Sequence, residues 1–261
     1  MTDEVKKFTI QRVTEQGKSE VEDVVVREFP LTIILNNQEL VTLLCTPKDL
    51  KNLAIGFLSS EGLIENKSEI RKIVLDNRRG VVRVETEEAK GVATEPLFKR
   101  IITSGCGKGT AFYSAADITN QARVESHMKI STGEVFALAK EFQHRSQVYR
   151  ATGGVHSAAL CDTKSILTFA EDIGRHNAID KIFGECMLKD IPTDDRIIIT
   201  SGRVSSEILL KIAKRNIPVL ISKSAPTDIA VDLAAGLGVT LIGFVRGRKM
   251  NVYAEGWRVI E

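Results

Sequence analysis

The sequence predicts an α/β protein made of two units, a smaller α+β unit over residues 1–125 and a larger α/β unit over residues 126–261. Three observations carry this. In the first half, β-rich segments surround a single stretch of helical periodicity. In the second half, strand and helix patterns alternate, and its βαβ steps imply parallel strands with helices on both faces. The 261 residues are 43% hydrophobic and 27% charged, an ordinary globular balance with enough apolar residues for a real core.

In the smaller unit, residues 21–29, 31–35 and 39–45 read as strands. Thr46-Pro47-Lys48-Asp49 reads as a helix start, with a cap, a proline at the first helical position and an acid in the first turn. Leu50, Leu53, Ala54, Phe57 and Leu58 then recur at helical spacing. Residues 70–75 and 81–85 form a hairpin around Asn77-Arg78-Arg79-Gly80.

The larger unit opens at Ser131-Thr132-Gly133-Glu134, a capping-box spacing that starts a helix running to about Arg145. Strands follow at 156–161 and 166–170, then a helix over about 174–187 with Ile179, Ile182, Phe183 and Cys186 on its apolar face. Strand 196–200, helix 204–215, strand 218–222, helix 226–237 and strand 239–245 complete the order αββαβαβαβ.

That order matches the cytidine-deaminase-like three-layer architecture. Zinc deaminases carry H-x-E at one helix start and P-C-x-x-C at the next. Here Asp172-Ile173-Gly174-Arg175-His176-Asn177-Ala178 keeps the histidine but has Ala178 in place of the general acid/base glutamate. Ser201-Gly202-Arg203-Val204-Ser205-Ser206 has no cysteine. A tetrahedral zinc site cannot form from these residues, so a deaminase-like domain without zinc is expected. Both helix N-termini still favour anions.

A net charge of +2 excludes a polyanion binder recognisable by bulk charge, and no nucleic-acid partner is expected. No apolar run is long enough to span a membrane, and MTDEVKKFTI lacks the apolar core of a signal peptide. A cytoplasmic protein with reduced thiols is therefore expected.

Among the four cysteines, Cys106 stands apart. Cys45, Cys161 and Cys186 have apolar neighbours or lie on an apolar helix face, as buried cysteines do. Cys106 lies in Thr103-Ser104-Gly105-Cys106-Gly107-Lys108-Gly109-Thr110, where glycines admit close approach and a nearby ammonium favours the thiolate. The segment is no P-loop, because Ile102 and Gly109 occupy positions that need glycine and Ser/Thr.

Further candidates gather at predicted strand ends, where α/β folds collect ligands. Thr152-Gly153-Gly154-Val155-His156-Ser157 sets His156 at a strand entrance. Asp172, Arg175 and His176 crowd a strand-to-helix junction. Ser201-Gly202-Arg203 and Ser224-Ala225-Pro226-Thr227 each join a strand to a helix, which suits phosphate. Phe244-Val245-Arg246-Gly247-Arg248-Lys249 places three cations beyond the last predicted strand, suited to phosphates, and Phe244 could stack on a base.

Taken together, these blocks closely resemble the FdhD family of sulfur carriers needed for active formate dehydrogenase. The resemblance covers most of the chain, including Leu53–Leu58 with Glu61-Gly62, the Cys106 loop, Thr152–His156, Glu171–Asp180, Ser201–Arg203, Ser224–Thr227 and Gly243–Tyr253. It implies that a cysteine desulfurase loads Cys106 as a persulfide. The sulfur then passes to the molybdenum bis(molybdopterin guanine dinucleotide) cofactor, bound transiently, before that cofactor enters formate dehydrogenase. It also implies a homodimer and binding of guanine nucleotides as partial mimics. Cys106 matches the sulfur-accepting position and Phe244–Lys249 the segment credited with cofactor binding. His156, Asp172, Arg175, His176, Ser201, Gly202, Arg203, Ser224 and Thr227 are further cofactor-binding candidates, and no residue is assigned to a metal. Many members carry C-x-x-C, whereas the second position here is Gly109. Two other readings fit the same residues: a guanine-nucleotide-binding regulatory module in which Cys106 is incidental, and a metal-dependent hydrolase using His156 and His176.

Overall fold

The computed structural model describes residues 3–87, 100–102 and 122–261. Cys106, with Lys108 and Gly109, lies outside the described residues. The chain opens with an antiparallel hairpin of β1 (Val5–Thr14) and β2 (Gly17–Val26). Residues 21–29 are therefore not one strand, since β2 ends at Val26 and β3 (Phe29–Leu35) starts anew.

β3 and β4 (Gln38–Cys45) join β5 (Ile70–Asp76), β6 (Val81–Thr86) and β7 (Arg100–Ile102) in a sheet of order β5-β6-β3-β4-β7. Leu31, Ile33 and Leu35 are buried at every second position of β3, the period of a strand with one face on a core. The edge strand β7 runs parallel to β4, pairing Val41 with Arg100 and Leu43 with Ile102.

Helix α1 (Leu50–Ser60) covers this sheet. It begins after Asp49, whose φ of 53° is left-handed and whose side chain makes no cap. The expected start at Thr46-Pro47 is corrected: Thr46 is fully buried and its hydroxyl bonds across the molecule instead. Tertiary demand overrides the local capping signal there.

The second half adds β8 (Ile130–Ser131), α2 (Thr132–Arg145), α3 (Gln147–Thr152), β9 (His156–Cys161) and β10 (Ile166–Asp172). Then come α4 (Arg175–Lys189), β11 (Ile197–Thr200), α5 (Ser206–Ala213), β12 (Val219–Ser222), α6 (Asp228–Leu237), β13 (Thr240–Arg246), β14 (Lys249–Ala254) and β15 (Val259–Ile260). The capping box forms as expected, with Ser131 Oγ accepting from Glu134 N–H and the glutamate carboxylate accepting from Ser131 N–H.

Six strands make one sheet of order β10-β9-β11-β12-β13-β14, with β11, β12 and β13 parallel. Alternate residues of its strands enter two cores. Ala158, Leu160, Ile198, Leu220 and Leu241 meet α4, α5 and α6, whereas Ala159, Cys161, Ile199, Ile221 and Ile242 meet α2. Each fully buried Ile or Leu contributes about 1.5–3 kcal/mol of transfer free energy.

Helix α1 packs along α4, so the two halves share a dense seam. Two glycines allow it. A Cβ on Gly56 would fall 1.7 Å from Asp180 O, and one on Gly184 would fall 1.8 Å from Asn52 O. The helix backbones touch where these glycines face each other.

Candidate functional site

The parallel strands β11, β12 and β13 deliver three loops to one end of the large sheet. Hydrogen bonds hold these loops side by side. Ser222 Oγ donates to Gly202 O (2.8 Å), Ser224 Oγ to Ser201 O (2.8 Å) and Phe244 N–H to Ser224 O (3.3 Å). β9 runs antiparallel to both β10 and β11, with His156 opposite Asp172, so the start of β9 and the end of β10 come to this same end. The structure thus brings together His156, Arg175, Ser201, Gly202, Ser224 and Phe244, which the sequence offers as separate motifs.

At one side of this surface, Ser201 Oγ accepts from Ser157 N–H (2.9 Å) and lies 3.5 Å from His156 Nδ1. Gly202 is buried beneath Arg175, where a Cβ would come within 2.9 Å of the Arg175 Cβ. Burial lowers the His156 pKa, reinforced by the charges of Arg175 and His176, so its imidazole is neutral at pH 7. His176 Nε2 stands 3.1 Å from Glu207 Oε2, and this partner draws the carboxyl pKa down. Burial and the neighbouring Arg203 charge lower the Arg175 pKa. Among the described residues, Arg175 Nε and Ser205 Oγ are buried without a hydrogen-bond partner.

On the other side, β13 ends in a bulged hairpin with β14, turning at Gly247 and Arg248. Residues 244–249 are thus mostly hairpin rather than a loop beyond the last strand. Phe244 has a φ of 53°, a costly conformation for an aromatic residue, and its ring remains exposed. A bulge that re-aims a side chain often lies beside a site. The Arg246 guanidinium lies 5.8 Å from that ring's centroid, within cation–π range. Burial, then the Arg246 charge, lowers the Lys223 pKa.

Two cation pairs, Arg175 with Arg203 and Lys223 with Arg246, therefore repel one another along one surface. Such placement is favourable when an anion bridges them. Arg203, Arg246, Arg248 and Lys249 are exposed. Val245 instead points into the α2 core, and Thr227 caps α6 by accepting from Ala230 N–H (3.4 Å).

Asp172 also faces inward. Its Oδ2 accepts from Thr46 N–H (3.0 Å), Thr46 Oγ1 (3.1 Å) and Lys181 Nζ (2.7 Å), and its Oδ1 from Gly174 N–H and Asn177 Nδ2 (both 2.9 Å). A carboxylate with five donors has no acceptor capacity left for a ligand. Lys181, Thr46, Asn177 and Lys223 are missed by sequence reasoning. Lys223 had a usable signal, its place between two serines at a strand end. Thr46 had none, because its partners lie more than 120 residues away.

Cys45, Cys161 and Cys186 are buried, and burial pushes each thiol up to about 12. Among the described residues, no cluster of three His, Cys, Asp or Glu side chains could hold a metal ion. No helix among them is long and apolar enough to cross a membrane.

Comparison with known proteins agrees with this architecture. The chain resembles a protein from Desulfotalea psychrophila whose crystal structure is described as that of a formate dehydrogenase accessory protein. The TM-score is 0.81 at 24% identity, over 98% of this chain and 99% of that one. The sulfur carrier protein FdhD of Bacillus subtilis (strain 168) is 47% identical over 95% of both chains. The protein of the same name from Geobacillus kaustophilus (strain HTA426) is 43% identical over 92% of both. The model of the FdhD/NarQ family matches residues 26–260, which takes in every strand end that builds the cationic surface, and the chain belongs to that family.

Proposed function

We propose that this protein is a cytoplasmic sulfur carrier that serves a formate dehydrogenase. The observation that carries this reading is the contrast among its thiols. Three are buried with pKa values near 12, so at neutral pH they are neither thiolates nor accessible. Cys106, flanked by glycines and Lys108, is the cysteine suited to exchange.

In this reading the Cys106 thiolate attacks the terminal sulfur of a persulfide on a cysteine desulfurase. The S–S bond of the donor breaks, the donor thiolate leaves, and Cys106 holds the sulfur as a persulfide. The acceptor is the molybdenum bis(molybdopterin guanine dinucleotide) cofactor, bound as a substrate. Its phosphates suit Arg175, Arg203, Lys223, Arg246, Arg248 and Lys249, and Phe244 offers a face for a base. The unpartnered Arg175 Nε and Ser205 Oγ fit a polyanionic ligand, because a bound phosphate oxygen would satisfy both kinds of donor. The half from about residue 126 onward acts as a cytidine-deaminase-like domain that has exchanged zinc chemistry for nucleotide binding.

The test is activation of a sulfur-free formate dehydrogenase. Wild type should activate it and Cys106→Ser should not, with guanine nucleotide affinity equal in both. Full activation by Cys106→Ser would remove the sulfur-carrier reading.

A further inference from the structure

The buried carboxylate of Asp172 ties together two parts of the chain that the sulfur-carrier reading needs to act in concert. On one side are Arg175 and His176, in the first turn of α4. Asp172 Oδ1 fixes that turn through Gly174 N–H and Asn177 Nδ2. On the other side is the end of β4. Thr46 donates to Asp172 from both its N–H and its hydroxyl, and Asn177 Nδ2 also donates to Leu44 O (2.9 Å). Lys181 Nζ closes the network by reaching Thr46 Oγ1 (2.7 Å) and Glu171 O (3.2 Å). Asp172, Lys181 and Thr46 are each at most 1% exposed.

The strand beside β4 gives this tie its consequence. β7 pairs with β4 in parallel, Leu43 opposite Ile102, so both strands end on the side of the Thr46–Asp172 bonds. Cys106 follows Ile102 by four residues, a covalent reach of roughly 14 Å at most. We propose that Asp172, with Thr46 and Lys181, is a positioning residue for sulfur delivery. It holds the end of β7, from which the chain continues to Cys106, in fixed relation to the cationic surface that begins at Arg175. This rests on the sulfur-carrier reading above. Asp172 touches neither reactant; it acts through the β4 end and the α4 start.

Thr46→Val keeps the shape and the backbone N–H while deleting the hydroxyl that bonds Asp172, Lys181 and Glu171 O. Its expected signature is a split between steps. Persulfide loading of Cys106 by a cysteine desulfurase, and affinity for GDP as probe, should match wild type. Activation of a sulfur-free formate dehydrogenase should fall by between about tenfold and a hundredfold, the scale set by misplacement of ~1 Å. Thr46→Ser, which restores a hydroxyl, should recover most of it. Asp172→Asn alone leaves Lys181 charged and unpaired, so the companion variant joins it to Lys181→Met and removes both charges. It should show the same split.

Wild-type delivery by folded Thr46→Val and by the double variant would overturn the proposal, provided Cys106→Ser is inactive in the same assay. Loading, GDP affinity and delivery falling together with the folded fraction would also overturn it, leaving Asp172 a purely structural anchor. Activity of Cys106→Ser would instead overturn the carrier reading on which the proposal rests.

Discussion

Around α4 the chain buries charges and matches them, whereas at the carboxyl ends of β11, β12 and β13 it gathers cations that form no salt bridge among the described residues. Asp180 and Lys211 are 2% and 5% exposed, with both carboxylate oxygens within 2.8 Å of the ammonium and Ser60 Oγ donating to Asp180 Oδ1 at 2.7 Å. Asp172 and Lys181 are enclosed just as completely. By contrast, burial and the neighbouring Arg203 charge lower the Arg175 pKa, and burial and the neighbouring Arg246 charge lower that of Lys223. Buried pairs lock the seam between the two halves into one geometry. Like charges gathered at a strand end cost stability rather than add to it, and they suit the anionic ligand proposed above.

Breaking a matched charge should have the largest effect. Asp180→Ala leaves Lys211 buried and charged, and should cost roughly 3–5 kcal/mol in urea unfolding. A loss below 1 kcal/mol would mean that the seam tolerates an unpaired ammonium and that the contrast is false. Gly56→Ala comes next. Alanine favours a helix by about 1 kcal/mol, yet its methyl would meet the Asp180 carbonyl, so a net loss of roughly 1–3 kcal/mol is expected from the same measurement.

Arg246→Ala sharpens the other side. Guanine nucleotide affinity should weaken by about 1 kcal/mol, more at low salt than at high, in a calorimetric titration. Stability should stay within about 0.5 kcal/mol of wild type. Equal losses of affinity and stability would make Arg246 structural.

The smallest effect concerns protons. The folded-state pKa of His156 is depressed, so the unfolded chain binds a proton there first as pH falls. That contribution to stability is complete above the unfolded value of about 6.5 and is lost as pH drops from there through the folded pKa. Imidazole titration by NMR should place His156 below 6.5. Arg175→Ala should move it upward while burial keeps it under the unfolded value.

Legibility in the sequence follows the range of the interactions. The Ser131–Glu134 capping box depends on neighbours three residues apart, and the β-rich content of residues 31–35 is equally local, so both are readable. The Thr46-Pro47 helix start is misread because Thr46 is claimed by Asp172, 126 residues away. The β1–β2 hairpin escapes notice because little of it is buried, so β1 carries little core periodicity. At the site, Arg175, Arg203 and Phe244 were visible as motifs at strand ends. The inward turn of Asp172 was not, because a carboxylate at a strand end reads the same whether it faces a ligand or a buried lysine.

The central claim is that one thiol of four carries sulfur. Mass spectrometry of the intact protein, after incubation with a cysteine desulfurase and cysteine, addresses it directly. A variant with Cys45, Cys161 and Cys186 replaced by serine, refolded and checked by circular dichroism, should gain the mass of one sulfur atom, mapped to Cys106. Cys106→Ser should gain none. Sulfur retained by Cys106→Ser, or none on the folded variant that keeps only Cys106, would contradict the account.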